Sequence, residues 1–123
     1  MSAYILLVDD DRETSDILRF FLEREGYEVL LAHDGAEALH LMSERGEPDL
    51  ILLDLSMPGM DGRGVMDALA RHPAWVGIPV VVLTASWEVS AADVHALGAD
   101  GLLRKPVTPD ELLATVERYS SGR

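Results

Sequence analysis

Short runs of apolar, β-branched residues alternate along the chain with stretches in which apolar residues return at helical spacing. The runs predict five strands, near Tyr4 to Val8, Glu28 to Ala32, Asp49 to Leu53, Pro79 to Leu83 and Gly101 to Leu103. Three of them ("YILLV", "DLILL", "PVVVL") are almost uninterrupted in hydrophobicity, as central parallel strands covered on both faces require. The intervening helices show in Ile17, Leu18, Phe21 and Leu22, in Leu39 with Met42, in Val65 with Leu69, and in Leu112, Leu113 and Val116. Gly26, Gly46 and Gly98 stand where helix ends need a left-handed residue. "DGAE" (34–37) and "TPDE" (108–111) resemble N-terminal capping sequences, the second with Pro109 at the first helical position. Before the last strand, "SAADVHALG" is rich in alanine, with Val94 and Leu97 as its larger anchors. This alternation predicts an α/β fold, a doubly wound five-stranded parallel sheet with five helices on its two faces, in three layers. In such a sheet the natural crevice lies at the carboxyl ends of the strands, where strand order reverses.

Composition narrows the class. A chain of 123 residues is expected to be one domain, with a core at about 3–119 and residues 120–123 ("SSGR") as a tail or the start of a linker. There are no cysteines, which excludes disulfides, thiolate metal sites and a cysteine nucleophile. No apolar segment approaches the ~20 residues a bilayer demands, and no cationic stretch leads into one, so a soluble cytoplasmic protein without membrane association is expected. The net charge of −12 repels phosphate backbones and argues against direct nucleic-acid binding.

The strand ends carry the chemistry. The first strand runs into Asp9, Asp10 and Asp11, the third into Asp54, the fourth into Thr84, and the fifth stops just before Lys105. Lys105 is the only lysine; the other nine basic residues are arginines. Carboxylates a few ångströms apart repel, and a hard divalent cation relieves the repulsion. Mg²⁺ takes one or two carboxylates with a carbonyl and waters, leaving room for a phosphoryl oxygen. A lysine supplies a compact charge on a flexible stem, which the rigid arginine fork does not reproduce. These parts suit phosphoryl transfer onto a carboxylate, with Asp54 as nucleophile. Each has a plainer reading: Asp9 to Asp11 could cap the first helix, Asp54 could be a solvated loop residue, Thr84 a strand former and Lys105 a surface lysine.

With these residues in view, the sequence resembles the receiver domain of bacterial two-component response regulators. "ILLVDDD", "LLDLSMPGMDG", "VVVLTA" and "LLRKPVTPDEL" match that family's signatures in order, and the match covers essentially the whole chain. The resemblance implies a flavodoxin-like sheet of order 2-1-3-4-5 and phosphorylation of Asp54. It implies Mg²⁺ (or Mn²⁺) bound by Asp10, Asp54 and the main-chain carbonyl of Ser56, with Asp9 acting largely through water. Thr84 and Lys105 would contact the phosphoryl group, and the Lys105–Pro106 bond is often cis in such proteins. Pro58, Gly62 and Pro106 would be structural, and Met57 belongs to the loop signature. The implied partners are a sensor histidine kinase or histidine phosphotransfer protein and a downstream effector, with a phosphorylation-dependent dimer allowed.

The sequence departs from the family pattern at Leu102, where an aromatic that turns inward is usual, which puts the usual aromatic coupling in doubt. Trp87 could substitute as the group that senses the loop, or serve only as a surface residue. Ser56 and Ser86, each two residues past a site residue, offer no carboxylate or amide to orient water, and a persistent phosphoryl state is expected. His33, His40, His72 and His95 show no metal-ligand spacing. An aspartate-nucleophile phosphohydrolase would place a second Asp two residues beyond Asp54, where Ser56 stands. A nucleotide- or flavin-binding module would need a Gly-rich loop after the first strand, which leads into aspartates instead. A non-phosphorylated, receiver-like interaction module would normally have lost a metal ligand or the lysine; neither is lost.

Overall fold

A computed structural model describes residues 4–55 and 62–120. Their order is β1 (Tyr4–Val8), α1 (Arg12–Arg24), β2 (Glu28–Ala32), α2 (Gly35–Arg45), β3 (Leu50–Asp54), α3 (Gly62–Arg71), β4 (Val80–Thr84), α4 (Ala91–Ala96), β5 (Gly101–Arg104) and α5 (Pro109–Ser120). The five strands form one parallel sheet in the order β2-β1-β3-β4-β5. Strand order reverses between β1 and β3, in the order that the family resemblance implies.

Successive strand residues face opposite sides of a sheet, so a strand buried on both sides needs apolar residues throughout. β1 meets that demand fully, and β3 and β4 do so up to their last residues, Asp54 and Thr84. Leu6, Val8, Ile51, Leu53, Val80 and Val82 face one side and pack on α2, α3 and α4 through Ala38, Met42, Val65, Leu69 and Val94. Ile5, Leu7, Leu50, Leu52, Val81 and Leu83 face the other, against α1 and α5 through Leu18, Leu22, Leu112 and Val116. The sheet thus separates two cores. At about 25 cal/mol per Å² of apolar surface, these burials are the dominant favourable term in folding.

The ends of the elements follow their local chemistry. Asp34 caps α2 by accepting from the Glu37 N–H, and Thr108 and Glu111 bond reciprocally at the start of α5. Gly26, Gly46 and Gly98 have φ of 93°, 88° and 94°, the left-handed values expected of them.

Three expectations shift. β3 and β4 begin one residue later than the hydrophobic runs suggest and so end on Asp54 and Thr84 themselves. Pro79 has no N–H to give the ladder; pairing starts at Val80, whose N–H goes to the Asp100 carboxylate at 2.9 Å. β5 continues through Arg104 rather than stopping at Leu103. In α1 the buried stripe is Ser15, Leu18 and Leu22, so Ile17 lies off it and is 50% exposed. Among the described residues, no helix is long and apolar enough to cross a membrane.

Candidate functional site

The pleat that divides the two cores also aims the site. Ile5 and Leu7 in β1, Leu50 and Leu52 in β3, and Leu103 in β5 face the α1/α5 side. Continuing each alternation one step brings Asp9, Asp54 and Lys105 to that same side, at the carboxyl edge of three strands. One carboxylate oxygen from each of Asp9, Asp10 and Asp54 lies within 4.8 Å of the others. The Lys105 ammonium lies 2.7 Å from Asp9 Oδ2 and 3.6 Å from Asp54 Oδ2. Residues almost a hundred positions apart thus share one pocket, as the sequence anticipates.

Asp9 is fully buried. Its Oδ1 accepts the Asp11 N–H at 3.0 Å, while Oδ2 accepts no hydrogen bond of adequate geometry. The 2.7 Å approach of the Lys105 ammonium makes an ion pair with Oδ2, which keeps a further lone pair for a second cation. Three carboxylates against one ammonium leave a surplus of two negative charges. At an effective dielectric of 20, each like pair near 5 Å costs about 3 kcal/mol, and less for the exposed Asp10. An all-oxygen donor set with a buried carboxylate oxygen that no hydrogen bond of good geometry satisfies, and with excess negative charge, fits a hard divalent cation. Burial opposes the charge on Lys105, but the contact with Asp9 and the charge of Asp54 outweigh it and hold its pKa above the ordinary 10.5.

The remaining anticipated residues divide by position. Asp11 is the N-cap of α1: its carboxylate accepts from the Glu13 and Thr14 N–H groups and the Thr14 hydroxyl, which holds its pKa below the ordinary carboxylate value. The capping reading is thus right for Asp11, while Asp9 and Asp10 join Asp54. Thr84 is buried at the last position of β4, its Oγ1 accepting the Ser86 N–H at 3.0 Å. The Ser86 hydroxyl accepts the Glu88 N–H at 3.2 Å. Trp87 is 81% exposed, and Leu102 is partly buried against the α2/α3/α4 core. The Lys105–Pro106 bond is cis. Gly62 opens α3 so close to β3 that a Cβ there would lie 2.8 Å from the Leu55 Cα and 2.9 Å from the Asp54 carbonyl oxygen. Ser56, Met57 and Pro58 lie outside the described residues. His33 Nδ1 lies 3.3 Å from the Asp9 carbonyl oxygen, His72 stacks on Trp75, His40 meets Glu44, and His95 is exposed.

Sequence reasoning missed Arg104. Its guanidinium donates to the carbonyls of Ser86 and Val89 and lies over the Trp87 ring. Nothing in the local sequence signals those partners, which stand 18 and 15 residues away.

Comparison with known proteins agrees with this geometry. The family model for the response regulator receiver domain matches residues 5–117. A protein of Chloroflexus aurantiacus assigned as a response regulator is similar in structure, with a TM-score of 0.90 and 32% identity over 98% of this chain and 99% of its own. The chemotaxis protein CheY4 of Vibrio cholerae has a TM-score of 0.87 and 33% identity over 97% and 99%. The signal receiver domain of a signal transduction histidine kinase from Syntrophus aciditrophicus has a TM-score of 0.86 and 34% identity over 98% and 92%.

Proposed function

We propose that this chain, which belongs to the response regulator receiver domain family, is a phosphorylation-dependent switch that takes a phosphoryl group onto Asp54. The observation that carries the reading is the Lys105 ammonium set between Asp9 and Asp54 at the edge of a pocket with surplus negative charge. In the proposed reaction an Asp54 oxygen attacks the phosphorus of a phosphohistidine on a sensor kinase or histidine phosphotransfer protein. The new P–O bond forms as the P–N bond breaks, and the departing imidazole takes up a proton. Positioning and charge neutralisation supply most of the acceleration in such transfers.

Lys105 offers its charge to one phosphoryl oxygen and the Thr84 hydroxyl donates to another. Asp9, Asp10 and Asp54, with the Ser56 carbonyl that the family pattern implies, would hold Mg²⁺ or Mn²⁺. Such an ion supplies positive charge where the reaction adds close to two negative ones. Asp54 and Lys105 then draw toward the new group, and the β4–α4 loop with the α4, β5 and α5 face follows, altering an effector's contact surface. Ser86 lends its hydroxyl to the Glu88 N–H, which supports a slow attack by water and a persistent phosphoryl state. The chain would catalyse only its own phosphorylation and dephosphorylation, in the cytoplasm.

Incubation with acetyl phosphate and Mg²⁺ tests the assignment. The wild type is expected to acquire an acid-stable, base- and hydroxylamine-labile phosphoryl group, and Asp54→Asn none. Full labelling of Asp54→Asn would place the acceptor elsewhere.

A further inference from the structure

Arg104 occupies the last position of β5, across the ladder from Thr84 and one residue before Lys105. Its guanidinium spans the β4–α4 loop. Nη1 donates to the Ser86 carbonyl at 2.6 Å and Nη2 to the Val89 carbonyl at 2.5 Å, and the group lies 5.0 Å from the centroid of the Trp87 ring. Both hydrogen bonds are short and charge-assisted, and reaching two carbonyls at once needs the planar fork that a lysine lacks. Trp87 is 81% exposed and fills no core; its contact is with the guanidinium.

The consequence reaches Thr84. Ser86, whose carbonyl Arg104 holds, donates its own N–H to Thr84 Oγ1 at 3.0 Å. The Lys105 N–H donates to the Thr84 carbonyl at 2.8 Å. Arg104 at the end of β5 and Lys105 just beyond it thereby fix Thr84 on two sides, one through its side chain and one through its main chain. A hydroxyl carries one proton and two lone pairs. With a lone pair turned to Ser86, the proton is left to point away from the loop.

We propose that Arg104 is a positioning residue for the phosphoryl site: by pinning Ser86 it sets the direction of the Thr84 hydroxyl without touching the phosphoryl group itself. This rests on the reading above, in which Thr84 donates to the captured group. Leu102 offers no aromatic ring for that task, and here a charged fork two rungs further along β5 performs it from the main-chain side of the loop.

The test is Mg²⁺-dependent capture of beryllofluoride by the full chain, followed by titration calorimetry so that changes around Trp87 do not affect the signal. Arg104→Met is expected to weaken capture by about fivefold or more. Arg104→Lys, which keeps the charge and loses the fork, should weaken it nearly as much. In a Thr84→Ala background, Arg104→Met should change nothing further, because the path ends at the hydroxyl. Undiminished capture by Arg104→Met, or the same loss with and without Thr84, would overturn the proposal in favour of a purely structural clamp. If Arg104→Met melts below the assay temperature, Arg104→Lys with the same cycle decides. A wild type that captures no beryllofluoride overturns the proposed function together with this role. A wild type that captures it, beside an Asp54→Asn that does not, leaves the function standing while Arg104 is judged separately.

Discussion

At the scale of single residues, the three clustered carboxylates differ in what removing them does. Asp9 is buried against Lys105, whereas Asp10 is exposed and contributes charge to the cluster with no ammonium at ion-pair distance among the described residues. Asp10→Asn should therefore relieve repulsion and raise stability in the presence of a chelator by about 1 kcal/mol. The same change should remove most of the stabilisation that Mg²⁺ gives the wild type, about 2.7 kcal/mol at a hundredfold excess over Kd. Urea melts with and without Mg²⁺ measure both effects; an equal Mg²⁺ response in the two proteins would exclude Asp10 from the cation site. Asp54 is legible from sequence because it follows an apolar run whose end lies at the sheet edge, and Lys105 because it is the only lysine and stands just past the last strand. Arg104 is not legible, because its partners are main-chain carbonyls, which every residue carries.

Among the elements, α3 and α4 meet opposite demands. The first residue of α3 presses on the end of β3, and Gly62→Ala must displace the Leu55 and Asp54 main chain. A loss of about 1–3 kcal/mol is expected, as for other overpacked sites, together with weaker beryllofluoride capture. Wild-type stability in that variant would mean that the β3–α3 connection yields freely. α4, six residues long, is too short to stand alone and is held by the buried Val94 and by a capping box between Ser90 and Asp93. Ser90→Ala should release about 1 kcal/mol of local stability, seen as faster amide exchange confined to residues 91–97. The Ser90 N–H also holds the Asp93 pKa below its ordinary 3.8. A depressed carboxylate stabilises above its unfolded value and ceases to do so as pH falls through the folded one. The α4 amides should therefore lose protection on acidification below about pH 3.8, ahead of those in β3; simultaneous loss would deny the box a local role. The element boundaries were harder to read than the elements, since Pro79 looks strand-like by hydropathy although it cannot donate to the ladder.

Over the whole molecule, a net charge of −12 means that self-repulsion opposes the folded state. Adding NaCl in the presence of chelator should raise the thermal midpoint, and a midpoint that falls with salt would show that screening of the specific ion pairs dominates. The fold class and the convergence of Asp9, Asp54 and Lys105 at the strand ends were readable from hydrophobic periodicity and parallel topology, and the strand order from the family resemblance. The partition of each strand between two cores was not, since periodicity does not say which helix covers which face. That partition has a consequence for information flow. Asp54 and Lys105 continue the alternation toward α1 and α5, while Thr84 continues that of Val80 and Val82 toward α3 and α4. The sheet is a wall between the side that Asp54 and Lys105 face and the side that Thr84 faces. Where Lys105 N–H meets the Thr84 carbonyl, the wall has a doorway one peptide wide.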